Sequence, residues 1–214
     1  MSARTMMTTA AGFAAAGLMT VSLLAQPQAT KPMTHSMKTD GTKATWTKAQ
    51  KISNARSAAP ASISAKATIL DWPTKEGAAP EVLQAGTNGW SCLPDMPESD
   101  GNDPMCIDDP WLKWVDALLT RKAPVIGRVG LGYMIAPGGA WASNSDPYGM
   151  TETTTNQWSF HNPHLMIVVP DVKSLAGIST DPNNGGPYVM FAGTPYAHIM
   201  APTSVAATPG KTSR

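Results

Sequence analysis

One stretch of this chain carries convincing helical periodicity, and turn formers bracket it on both sides. In residues 110–122, Trp111, Trp114, Val115, Leu118 and Leu119 recur at spacings of three and four, while Lys113 and Asp116 lie off that face. Asp109 reads as the N-cap with Pro110 opening the helix, and Arg121 and Lys122 suit the negative end of its dipole. Elsewhere 19 Pro and 18 Gly punctuate the 214 residues, so a second long helix is not expected. A single helix leaves the other apolar segments to pair as short strands. This predicts an α+β fold: a small antiparallel sheet, one packing helix and a disulfide-tied loop.

The strands follow from local pattern. Residues 67–72 and 81–85 are apolar or β-branched and flank a Pro-rich turn, which predicts a hairpin. Gly86-Thr-Asn-Gly-Trp90 reads as a tight turn, because Asn and Gly tolerate positive φ. Residues 124–136 read as a strand with three glycines, and residues 137–160 as a long polar loop. Residues 164–169 form a buried strand, residues 171–176 a short helix, and residues 188–191 with 196–201 a closing hairpin.

The N-terminus divides the chain. Arg4 precedes an apolar stretch without acidic residues, so residues 1–29 read as an export signal and the protein as periplasmic or secreted, with no membrane span once the signal is cleaved. Residues 30–65, rich in Lys, Thr, Ser and Ala, read as a flexible basic linker, residues 66–202 as a single α+β domain, and residues 203–214 as a disordered tail. Cys92 and Cys106 are the two cysteines, and in an oxidising compartment they are expected to form a disulfide. The expected stabilisation is about 3 kcal/mol.

Net charge of +1 argues against a polyanion binder, so no nucleic-acid partner is expected. Gly127, Gly130 and Gly132 lack the spacing and the following helix of a dinucleotide site, and the G-x-S-x-G, H-E-x-x-H and P-loop signatures are absent. The remaining chemistry lies with histidine and methionine. In a strand, alternate side chains share a face, so His164-Leu-Met166 and His198-Ile-Met200 each present an imidazole beside a thioether. Met166, Met200, His164 and His198 are candidate ligands for a soft metal such as copper. Met33, His35 and Met37 form a second such cluster in the linker. Against the metal site stands plain packing, since Met fills irregular cores. His161 and His164 are candidate general bases.

Two loops offer other partners. Asp95, Glu98, Asp100, Asn102 and Asp103 surround Gly101 with oxygen ligands for calcium, although the spacing is not that of an EF-hand. Trp141, Asp146, Tyr148 and Trp158 in the long loop are candidates to bind a small molecule, by stacking and hydrogen bonding. The expected function is a non-catalytic binding module for a small molecule or metal ion, with a small hydrolase using a histidine general base as the rival.

Gly86-Thr-Asn-Gly-Trp90, Asn102-Asp-Pro-Met-Cys106, His164-Leu-Met-Ile-Val-Val-Pro-Asp171, Asp181-Pro-Asn-Asn-Gly-Gly-Pro187 and Gly193-Thr-Pro-Tyr-Ala-His198 carry a resemblance. Together these segments resemble a group of exported bacterial proteins with no known activity, across residues 67–202. The resemblance implies a bacterial exported protein and transfers no residue role.

Overall fold

A computed structural model describes residues 45–75 and 78–203. The expected export signal, the Met33, His35 and Met37 cluster and residues 204–214 of the tail lie outside the described residues. The fold is α+β, as the pattern predicts, but the sheet is large and mixed rather than small and purely antiparallel. Eight strands run in the order β10 (Tyr188–Met190), β11 (His198–Pro202), β9 (His164–Val168), β6 (Gly130–Met134), β5 (Met105–Ile107), β3 (Ser91–Leu93), β1 (Thr68–Asp71) and β2 (Glu81–Gln84), and a second sheet holds β4 (Asp100–Asn102), β7 (Gly139–Ser143) and β8 (Trp158–His161).

β1 pairs antiparallel with β2 and parallel with β3; the parallel pair makes the sheet mixed. Cys92 and Cys106 stand opposite each other on β3 and β5, and their disulfide is fully buried.

The main helix, α3 (Asp109–Leu119), is capped one residue earlier than expected. Asp108 is the N-cap, and its Oδ1 accepts the Trp111 N–H at 3.3 Å. Its apolar face lies on the sheet through Trp111, Trp114 and Val115. Both indoles also hydrogen-bond to backbone: Trp111 Nε1–H donates to the Met166 carbonyl (3.2 Å) and Trp114 Nε1–H to the Tyr196 carbonyl (3.3 Å). These bonds fix the helix over β9 and over the connection into β11, because a buried indole N–H left unpaired would be destabilising.

Three further expectations are corrected. Part of the segment read as flexible linker folds: α1 (Lys48–Ser57) is followed by α2 (Ala61–Ser64). Thr47 and Gln50 form a reciprocal capping box, and Ala55, Ala58 and Ala59 pack against Ile69, Leu83 and the disulfide. Asn54 bridges to the 94–102 segment, its amide donating to Asn102 Oδ1 (2.8 Å) and its Oδ1 accepting the Asp95 N–H (2.7 Å). The long loop at 137–160 is likewise shorter than expected, since its ends are β7 and β8, paired antiparallel. The strand expected over residues 124–136 is confined to β6.

Candidate functional site

The inner cavity is built on one face of the large sheet. On β9 the burial alternates, so His164, Met166 and Val168 point inward while Leu165 and Ile167 point away. On β11 His198 and Met200 do the same. Antiparallel register then decides what meets what: Met200 lies opposite Met166, Pro202 opposite His164, and Met190 opposite His198. Across the other edge of β9, Met134 of β6 lies opposite His164 and Gly132 opposite Met166. Gly132 makes room there, since a Cβ at that position would stand 2.8 Å from Met166 Cε and 3.1 Å from Ile107 Cγ2.

The two His-x-Met tripeptides are therefore paired head to tail. Their methionines meet in the middle and their imidazoles lie at opposite ends, four residues or about 13 Å apart along the strand direction. All four residues line one cavity of about 170 Å³, roofed by Trp111, Trp114 and Val115 of α3 and closed on another side by β7 and His161. Met105, Met134 and Met190 line it as well. Nothing in the sequence pattern singles out these three; they become visible once the register is known.

The imidazoles are held as neutral bases. His164 Nδ1–H donates to the Asn162 carbonyl (2.6 Å) and His198 Nδ1–H to the Tyr196 carbonyl (2.9 Å). A carbonyl only accepts, so Nδ1 carries the proton in both rings and Nε2 keeps its lone pair. His161 Nδ1 shares a 2.6 Å hydrogen bond with the Tyr188 hydroxyl. The Nε2 atoms of His161 and His164 and the Oδ1 of Asn162 are buried and make no hydrogen bond. His198 is also wedged edge-on among Trp111, Trp114 and Phe191, with ring centroids 5.0, 5.3 and 5.5 Å away.

Burial lowers all three pKa values from 6.5. His161 falls to about 3, with His164 and then His198 adding to the effect and the Ala142 backbone opposing it. His164 falls to about 4, opposed by its bond to Asn162. His198 also falls to about 4, opposed by Tyr196 and helped by His164. Burial likewise pushes the Tyr188 hydroxyl upward, so it stays protonated. At neutral pH the imidazoles and thioethers that line the cavity are thus uncharged donors, with Asp103 in the wall shared with the next cavity. Groups this weakly basic make poor general bases, whose pKa should lie near the working pH. The Nδ1 partners of His161 and His164 are a tyrosine hydroxyl and a backbone carbonyl, where a catalytic imidazole would gain from a carboxylate.

An outer cavity of about 140 Å³ adjoins the inner one, sharing Asp103, Met105, Ala142, Met190 and Phe191 as walls. Three of the four expected small-molecule contacts, Trp141, Asp146 and Trp158, line it together with Met96 and Met150. Tyr148 does not join them. Its hydroxyl meets that of Tyr196 at 2.6 Å, and Arg121 lies 4.5 Å above its ring.

Of the calcium candidates, Asp95 and Asp103 approach each other at Ser99, whose hydroxyl lies 2.6 and 2.9 Å from their Oδ1 atoms and shares its one proton between them, while Asn102 accepts from Asn54 and donates to the Pro137 carbonyl. Among the described residues no three His, Cys, Asp or Glu side chains gather as a metal site. The methionine sulfurs that line the inner cavity are further donors, of soft character. No helix among the described residues is long and apolar enough to cross a membrane. No family model, curated protein or solved structure matches the chain.

Proposed function

We propose that this domain is an exported, non-catalytic binding module for a soft monovalent cation of the cuprous class. The ion is held in the inner cavity between Met166 and Met200, with His164 Nε2 as the imidazole ligand. One observation carries the reading: every methionine among the described residues lines the inner or the outer cavity. Core-filling methionine also lines irregular spaces, but here the thioethers share the inner cavity with an imidazole nitrogen, His164 Nε2, that makes no hydrogen bond. Thioethers and neutral imidazoles are soft, uncharged donors, and cuprous ions accept few of them, whereas calcium requires hard oxygen ligands in number. The His164 Nδ1–H bond to a backbone carbonyl is also the support that metal-bound imidazoles commonly have. Export belongs to the same proposal, since a buried disulfide persists in an oxidising compartment.

The test is anaerobic titration of the purified protein with Cu(I) against a chromophoric Cu(I) chelator, repeated with Met166→Leu/Met200→Leu and with His164→Ala. Tight binding by the wild type that both variants lose supports the reading. Absence of binding by the wild type overturns it.

A second reading rests on the cavity's size. At about 170 Å³ it is close to the roughly 150 Å³ apolar cavity that admits benzene. Its unpartnered acceptors, His164 Nε2 and Asn162 Oδ1, would suit a small aromatic molecule carrying a hydroxyl donor. Phenol protecting the wild type against thermal unfolding, in a protein that ignores Cu(I), would favour this ligand class.

A further inference from the structure

Exposure of the methionines falls from the outer cavity towards Met166 and Met200, while Met134, which lines the inner cavity alone, is half-buried. Met150 at the mouth of the outer cavity is 47% exposed, while Met96 beside it and Met105 in the shared wall are half-buried. Met190, also in the shared wall, is 8% exposed, Met166 is 4% and Met200 is 2%. The side chains that separate the two cavities thus include two flexible thioethers, and thioether donors continue on both sides of them. Charge is graded as well. Asp146 and Asp103 line the outer cavity, whereas the inner one has Asp103 alone at its edge.

We propose that the outer cavity is a loading site. Met96 and Met150 capture the soft cation at the surface, where Asp103 and Asp146 attract it, and Met105 and Met190 hand it through the shared wall to Met166 and Met200. This rests on the cuprous reading of the inner cavity. Each transfer is a ligand exchange in which a new sulfur–metal bond forms as an older one breaks. The ion keeps its oxidation state throughout, so no reductant or oxidant is consumed. Met side chains suit such a step, being unbranched and able to swing between partners. The inward direction follows from chemistry: the outer cavity has thioethers and carboxylates, and only the inner one adds an imidazole lone pair that nothing else occupies.

The experiment uses Ag(I), a redox-inert probe with the same ligand preference, mixed with the full chain by stopped flow. The readout is quenching of tryptophan fluorescence, because Trp111 and Trp114 line the inner cavity and Trp72, Trp141 and Trp158 the outer one, so that filling of either cavity gives a phase. Met96→Leu/Met150→Leu is expected to slow uptake about tenfold and to abolish the weaker of two binding phases, leaving the affinity of the tighter phase unchanged. Met150→Leu alone, at an exposed position that the fold does not depend on, is expected to slow uptake by a smaller factor. Unaltered uptake rates in both variants, with tight binding retained, overturn the loading site and leave the inner site standing. Failure of the wild type to bind Ag(I) overturns both.

Discussion

Met166 and Met200 stand directly opposite each other on neighbouring antiparallel strands, and this pairing sends His164 and His198 to opposite ends of one cavity. The two histidines are therefore not equivalent. His164 offers a buried Nε2 with no hydrogen bond, whereas His198 is enclosed by three aromatic rings. His164→Ala is expected to weaken Cu(I) affinity by at least about 100-fold, and His198→Ala by less, measured by chelator competition.

Acid should affect binding late. A solvent-exposed histidine begins to lose a metal below pH 6.5, but burial holds His164 at about 4. Cu(I) affinity is expected to stay level from pH 8 to about pH 5 and to fall below about pH 4. A decline centred near pH 6.5 would show that the imidazole ligand is an exposed one.

Stability should respond to acid earlier than binding does. The folded pKa values of His161, His164 and His198, about 3, 4 and 4, lie below the unfolded value of 6.5. As pH falls, the unfolded chain takes up protons before the folded one. Stability is thus fully present above about pH 6.5 and is lost progressively as pH falls towards 4, and towards 3 for His161. In the middle of that window each histidine contributes a slope of about 1.4 kcal/mol per pH unit. Denaturant midpoints recorded between pH 7.5 and 4.5 check this, and an unchanged midpoint at pH 5 would contradict the burial of the three rings.

The disulfide and the first helix give two independent checks on the scaffold. Replacing Cys92 and Cys106 together by Ala should lower stability by about 3 kcal/mol in equilibrium denaturation.

Thr47→Ala removes the side-chain half of the α1 capping box and should lower stability by about 1 kcal/mol. No change on Thr47→Ala would mean that α1 is not part of the cooperative unit.

What the sequence made legible was whatever a local pattern encodes. Trp111, Trp114 and Val115 announce α3 by their spacing, and the alternation in His164-Leu-Met166 announces β9. The Cys92–Cys106 disulfide followed from count and compartment. Helix α1 was not legible because its core contacts are Ala55 and a partly buried Ile52, followed by Ala58 and Ala59 just beyond its end, too few and too small to leave an apolar stripe among Lys and Ser. β7 and β8 were hidden for a related reason. Gly139-Ala-Trp-Ala-Ser143 has little β-branched character, and its strand pairing is with residues from 158 to 161 and from 100 to 102. The cavity was least legible of all. The two His-x-Met motifs could be seen, but their antiparallel register, and with it the arrival of Met105, Met134 and Met190, depends on pairings between segments far apart in the chain.

Met166 and Met200 are proposed to share one soft cation, an arrangement open to direct observation. Its most direct test is the NMR spectrum of protein carrying 13C-labelled methionine methyl groups, with Met166→Leu and Met200→Leu used for assignment, as one equivalent of Ag(I) is added. The Met166 and Met200 methyl signals are expected to move together and in proportion to added ion, reaching their end point at one equivalent. Both signals remaining in place while the ion is bound elsewhere, or not bound at all, would contradict that arrangement.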